Sequence, residues 1–198
     1  MNPQDFWNNR YQEQSYAYGK APNVFIALSL ERLDPGNIYF PAEGEGRNAV
    51  HAARKGWKVW ASDQSKEGKK KALKLAKDQN VEIEYHVGNA MNYACPESLD
   101  AVAFCYFHTP EAVFAPMYSR ILEQLKPGGT VLIEGFSEKN LGLGSGGPKD
   151  LSMLFTVPKI KSLLSDFQNL RVWEECVELN EGMYHQGKAW VIRAKAEK

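Results

Sequence analysis

The sequence predicts an α/β fold: a doubly wound, Rossmann-like sheet, mostly parallel, with one antiparallel strand supplied by a C-terminal hairpin. Three observations carry that expectation. From residue 38 onward, short apolar runs alternate with stretches of helical length and periodicity, the pattern of parallel strands joined by crossover helices. A glycine turn sits between the first run and the first helix of that series. The last third ends in two long strand-like runs with a short connection, which a mostly parallel sheet accepts as an antiparallel hairpin.

The first unit is the most informative. Ile38, Tyr39 and Phe40 form an apolar run, Gly44-Glu45-Gly46 a tight turn, and residues 47–55 a helix with Ala49, Val50 and Ala53 at core spacing. A second strand over 57–61 ends at Asp63. Each residue type has a physical task. Glycines let the backbone bend and approach a ligand, a helix start offers unpaired N–H groups, and a carboxylate about 20 residues on can accept both hydroxyl hydrogens of a ribose. Gly44, Gly46 and Ala49 also satisfy the relaxed glycine spacing of a dinucleotide site. Glu43 and Glu45 weigh against it, because two carboxylates at the turn would face a pyrophosphate. S-adenosyl-L-methionine has no phosphate and carries an ammonium and a sulfonium, so the turn favours it as cofactor.

The alternation then continues. A helix is expected over 65–79 with Ser65 as its N-cap, a third strand over 81–87, a fourth over 99–106, a helix over 111–125 closed by Lys126-Pro127-Gly128-Gly129, and a fifth strand over 130–134. Ligands of such sheets lie beyond the C-terminal strand ends, which gathers Glu43, Asp63, Asn89, Tyr106 and Phe136. After the glycine-rich stretch 141–148, which reads equally as a connector or a lid, a helix is expected over 156–167 and the hairpin strands over 170–177 and 185–194. The first 33 residues carry Trp7, Arg10, Tyr11, Tyr16 and Tyr18, with a helix from about residue 22; this arm is expected to fold over the cofactor site.

Composition fits a single domain over 1–198. The chain is 43% hydrophobic, enough for one core, and 24 Lys plus Arg balance 24 Asp plus Glu. No overall field draws it to nucleic acid or an anionic membrane, so a small-molecule partner is expected. The N-terminus lacks the basic and apolar segments of a signal peptide, and no run approaches a membrane span, which suggests a soluble cytoplasmic protein. Cys95, Cys105 and Cys176 and the four histidines are scattered without ligand spacing, so no metal is expected.

Taken together these residues resemble class I S-adenosylmethionine-dependent methyltransferases, closest to the small branch of tellurite-resistance and thiopurine methyltransferase-like enzymes. The carriers are the arm with Tyr18-Gly19 and Pro22-Asn23, the turn from Glu43 to Asn48, Asp63, Gly88-Asn89-Ala90, Lys126-Pro127-Gly128-Gly129 and the final hairpin. The resemblance implies seven strands with the last lying antiparallel between its neighbours. It implies that Gly44 and Gly46 approach the methionine moiety, that Asp63 accepts the ribose hydroxyls, and that Gln64, Ala90 and Met91 sandwich the adenine. Asn89 stands where the family usually has aspartate, and its amide oxygen can still accept from the adenine amino group. Trp7 and Arg10 match a pair that reaches the methionine end. Glu43, Asn48 and Cys105 complete the candidate cofactor set.

Two departures stand out. Ala42 replaces the first glycine of the usual turn, and Phe40 replaces the acid often ending the first strand. The fourth strand ends in Phe104-Cys105-Tyr106-Phe107-His108, without the acidic-proline-aromatic signature of adenine methylation. The expected activity is methyl transfer to a small-molecule acceptor, in particular a thiol or chalcogen nucleophile, with His108 and His185 as candidates for proton handling. Two other readings stay open: a nucleotide-dependent oxidoreductase, and a non-catalytic cofactor-binding partner subunit.

Overall fold

The computed structural model describes residues 2–198. Seven strands form one sheet in the order β3-β2-β1-β4-β5-β7-β6. They are β1 (Asn37–Pro41), β2 (Lys58–Asp63), β3 (Glu84–Val87), β4 (Leu99–Cys105), β5 (Leu125–Phe136), β6 (Gln168–Glu181) and β7 (His185–Glu197). The first five run parallel, while β7 lies antiparallel to both β5 and β6. The expected antiparallel strand is therefore β7, inserted between its neighbours.

Burial fits the place of β1 inside the sheet, between β2 and β4. Ile38, Tyr39 and Phe40 are fully buried, as expected of a strand covered on both faces. On one face α2 (Val24–Leu30), α3 (Arg47–Arg54) and α4 (Lys66–Asp78) pack over Ile38, Phe40, Ala101, Ala103 and Leu132. On the other, α5 (Glu111–Leu122) and α6 (Val157–Leu163) cover Val102, Phe104, Val131 and Ile133. Side-chain caps start the helices: Asn23 accepts from the Ile26 N–H at 3.0 Å, Ser65 from Gly68 at 3.0 Å and Thr156 from Lys159 at 3.1 Å. The strand order reverses between β1 and β4, and that switch point opens the crevice in which such sheets hold ligands.

Several element bounds differ from expectation for local reasons. Strand β3 starts at Glu84 rather than 81 because Val81 donates its N–H to Ala76 and, with Asn80 at φ +54°, finishes α4. Helix α5 stops at Leu122, and Lys126-Pro127-Gly128-Gly129 belongs to β5: Gly128 donates to Lys198 and Lys198 to Gly129, so the end of the chain pairs this stretch into the sheet. Helix α6 is shorter than expected, and both hairpin strands are longer, leaving only residues 182–184 as their turn. One helix was not expected at all. Helix α1 (Pro3–Tyr11) buries only Tyr11 of its own residues, so it presents no apolar stripe to read.

The turn after β1 contains an L-residue in the left-handed region, Ala42 at φ +53°. That conformation costs a non-glycine residue roughly 1–2 kcal/mol. Ala42→Gly should raise stability to urea by up to about 1 kcal/mol, once the greater freedom of glycine in the unfolded chain is allowed for. A loss of stability would show that the methyl group's packing outweighs the strain.

Candidate active site

The turn between β1 and α3 is built around its two glutamates. Gly44 and Gly46 adopt φ +62° and +87°. This bend brings the Glu43 carboxylate over the start of α3, where one oxygen accepts from the N–H groups of Asn48 at 2.7 Å and Ala49 at 2.8 Å. The other accepts from the Asn48 side chain at 3.3 Å. Glu45 turns outward to the arm, accepting from the Ala17 N–H at 2.7 Å and from Lys71 at 2.5 Å. Both acids are thus engaged by the protein itself, one with a helix start and one with the arm. Lys71 offsets the charge of Glu45, and burial raises Glu43, so the turn carries less negative charge than its two acids suggest in sequence.

Beside the turn, at the end of β2, Asp63 accepts from the N–H groups of Gly44 at 3.1 Å and Ser65 at 2.8 Å. Burial pushes its carboxyl up to about 6, against the pull of those backbone donors. Burial likewise raises Glu43 to about 7. Asn89 accepts from the Met91 N–H at 3.0 Å and thereby shapes the single turn Ala90–Asn92. Gly44, Gly46, Asp63, Gln64 and Asn89–Ala90–Met91 therefore share the C-terminal ends of β1, β2 and β3, as expected of them.

The arm lies on this row. Asn8 accepts from the Ser65 hydroxyl at 2.8 Å and the Lys66 N–H at 3.0 Å, which seats α1 on the start of α4. Trp7 stacks on Tyr11 at 5.5 Å, and the Tyr11 hydroxyl lies so close to Gly44 that a Cβ there would sit 2.5 Å from it. Further along, Ala17 bridges two parts of the fold: its N–H donates to Glu45, and its carbonyl accepts from Met183 in the hairpin turn at 3.0 Å. Arg10 lies 3.6 Å above the Tyr184 ring. Two cavities of about 750 and 240 Å³ lie elsewhere, beside β3 and α4 and at the opposite strand ends around Asp100 and Lys126. In this conformation the arm covers the Gly44 end of the row, while Asn89 and Met91 are exposed.

A second polar cluster lies past the ends of β4, β5 and β7. Arg47 pairs with Glu181 at 2.9 Å, and Glu181 also meets His185 Nδ1 at 3.4 Å. Asn23 donates to Glu181 at 3.1 Å and to Glu134 at 2.5 Å; Glu134 further accepts from Tyr106 at 2.9 Å and Arg193 at 2.5 Å. Burial alone would raise Glu181, yet the hydrogen bonds and charges of His185 and Arg47 hold it at about 2. Arg47 decides that direction, since its guanidinium stays charged whatever the state of the histidine. Burial, helped by the charges of Arg47 and Arg10, lowers His185 against the pull of Glu181, which favours the neutral ring. The rings of Tyr18, Tyr106 and Phe136 surround it at 4.5, 4.4 and 5.0 Å.

The two histidine candidates are placed very differently. His108 is held at both nitrogens, Nδ1 against the Met153 carbonyl at 2.8 Å and Nε2 accepting from the Phe136 N–H at 3.0 Å. Burial lowers it to about 4, and in this conformation both ring nitrogens are committed to backbone partners. Cys105 lies 3.9 Å from Arg47, and burial pushes its thiol well up. Sequence reasoning missed Glu134 and Glu181. The available signal was Glu134, a lone acid inside the apolar run of β5.

The seven-stranded sheet has the fold of S-adenosylmethionine-dependent methyltransferases. Residues 41–129 match the family model of a methyltransferase domain. No curated protein matches the chain. Solved structures share its fold. One, reported for conversion of a disulfide bond into a thioacetal group during echinomycin biosynthesis, aligns with TM-score 0.78 at 13% identity, over 98% of this chain and 88% of its own. TehB from Haemophilus influenzae gives 0.75 at 16% identity over 98% of this chain and 66% of its own. The N-methyltransferase NodS from Bradyrhizobium japonicum WM9, solved with S-adenosyl-L-homocysteine, gives 0.71 at 10% over 100% and 99%.

Raised carboxyls make stability fall with rising pH. Glu43 and Asp63 titrate in the folded state at about 7 and about 6, above their ordinary 4.5 and 3.8. Their contribution is full below the ordinary values and is lost as pH rises through the folded ones. The ligand-free protein should therefore lose on the order of 2–3 kcal/mol through Glu43 between about pH 4 and 7. Glu43→Gln should flatten the urea-midpoint profile across that window; an unchanged slope would show that Glu43 stays ionised against the helix start.

Proposed function

We propose that this protein transfers a methyl group from S-adenosyl-L-methionine to a small-molecule acceptor, in particular a thiol or chalcogen nucleophile, working as one domain whose first 33 residues close over the cofactor. The observation that carries this reading is the row of Gly44, Asp63 and Asn89 across three adjacent strand ends, with the arm over its Gly44 end. The residues fit the cofactor. Gly44 permits a close approach, made here by the Tyr11 hydroxyl that a Cβ would meet at 2.5 Å, and Asp63 offers a buried carboxyl hydrogen-bonded to the glycine turn.

S-adenosyl-L-methionine supplies a sulfonium methyl, which passes to the acceptor's lone pair as the sulfur–carbon bond breaks and S-adenosyl-L-homocysteine leaves. The chain's own work is positioning and exclusion of water. Asp63 holds the ribose end, Asn89 the adenine edge and Gly44 with Gly46 the methionine end, with Gln64, Ala90 and Met91 beside the base. Trp7 and Arg10 on α1 close from above. Tyr18, Tyr106, Phe136 and His185 wall the place of the acceptor, and His185 takes the proton where the acceptor brings one. A similar fold, the structure reported for conversion of a disulfide into a thioacetal, supports a soft acceptor. Placement in the tellurite-resistance-like branch rests on the sequence resemblance. NodS, an N-methyltransferase, marks the amine as the rival acceptor.

Calorimetric titration with S-adenosyl-L-methionine, S-adenosyl-L-homocysteine and NAD should show binding of the first two only. Asp63→Ala removes charge-assisted hydrogen bonds of about 1.5–3 kcal/mol each and should weaken that binding at least about ten-fold. NAD binding, or unchanged affinity in the variant, would overturn the assignment. A methylation screen with thiols, selenite, tellurite and amines then separates the acceptors.

A further inference from the structure

We propose that Glu181 is a positioning residue of this site: anchored by Arg47, it fixes the His185 ring with Nδ1–H donated to its carboxylate, leaving Nε2 as the ring's proton acceptor. The inference rests on the reading of His185 as the group that takes the acceptor's proton. Three features of the geometry support it. Glu181 is the last residue of β6 and His185 the first of β7, so a three-residue turn carries both, paired across the hairpin. Its oxygens are fully engaged: Oε2 by Arg47 at 2.9 Å and His185 at 3.4 Å, Oε1 by Asn23 at 3.1 Å. Arg47 is the first residue of α3, directly after Gly46. One carboxylate thus ties the imidazole to the turn that holds the cofactor.

A carboxylate has no proton to give, so the ring nitrogen facing it must be the donor. Neutral imidazole then keeps its lone pair on Nε2. When an acceptor X–H arrives, its proton moves to Nε2, the freed electron pair attacks the methyl carbon, and the imidazolium that forms is countered by Glu181. The groups facing His185 are Arg10 of α1, Tyr18 of the arm, Arg47 of α3, Tyr106 at the end of β4, Glu181 of β6 and Tyr184 beside it, with His108 farther off. Of these, Glu181 is the one that favours the protonated ring. Gly146 permits the pose: a Cβ there would lie 2.6 Å from His185 Cδ2.

Two-bond proton–nitrogen correlation spectra of the intact protein read the tautomer without any acceptor. Wild type should show Nδ1 protonated and Nε2 bare at pH 7. In Glu181→Gln the ring should lose that single tautomer and titrate lower by about one pH unit or more, with Glu181→Asp restoring part of the shift. Methylation of 2-mercaptoethanol should fall at least ten-fold in Glu181→Gln, with the acid limb of its pH profile moved to lower pH. An unchanged tautomer and titration in a folded Glu181→Gln protein would overturn the positioning role. Unimpaired methylation in His185→Asn would instead overturn the reading of His185 itself, and the two failures are seen in separate measurements.

Discussion

The Glu43 carboxylate on the start of α3 is the constraint on which this site is built. A helix start leaves its first N–H groups without partners, and here a single side chain from the preceding turn satisfies two of them. To do so the chain must fold back sharply within residues 42–46, and three of those five residues take positive φ. The rest follows from that fold-back. It presents the Gly44 N–H to Asp63, sends Glu45 outward to the arm, and starts α3 with Arg47 facing the hairpin. Burial of these acids is unfavourable for their charged forms, and the backbone donors only partly offset it.

Charge pairing explains how elements distant in sequence meet at the far side. Arg47 of α3, Glu181 of β6, Asn23 before α2, Glu134 of β5 and Arg193 of β7 form one connected set. Each buried charge in it has an opposite partner and a further hydrogen bond, which is what makes such a set tolerable in a low-dielectric setting. It also fixes the position of His185 relative to the glycine turn more tightly than a loop would. A site that must align two reactants benefits from that rigidity.

Much of the fold was legible because its signals are local. The glycine turn, the Ser65 cap and the alternation of runs specify elements through neighbouring residues, and the β1-α3-β2 unit follows them closely. The candidate cofactor row was legible for the same reason, being adjacent to those turns. The acceptor end was not. Glu181 reads as an ordinary turn residue until β6 and β7 pair, and its partner Arg47 lies 134 positions away. His108 and His185 look alike in sequence, and only the backbone partners of His108 set them apart. Helix α1 was missed because its stability comes from Asn2, Pro3 and the seat that Asn8 finds on α4 rather than from a periodic apolar face.

That weakness of α1 has a functional side. Tyr11 covers Gly44 and Asp63 is buried, so a ligand reaches that end of the row only if something moves, and the least anchored segment moves first. The sheet, α3 and the charged set beneath are tied by extensive strand pairing and buried bridges. The arm holds mainly through Tyr11, the Asn8 seat, the hydrogen bonds of Ala17 to Glu45, Met183 and Tyr184, and the Lys71–Glu45 pair beside it. Lifting residues 3–18 would break these contacts yet leave Arg47, Glu181 and His185 bonded to one another. The architecture thus separates a part that can open from a part that must stay aligned, and the division falls between the arm and the hairpin, at Ala17 and Met183.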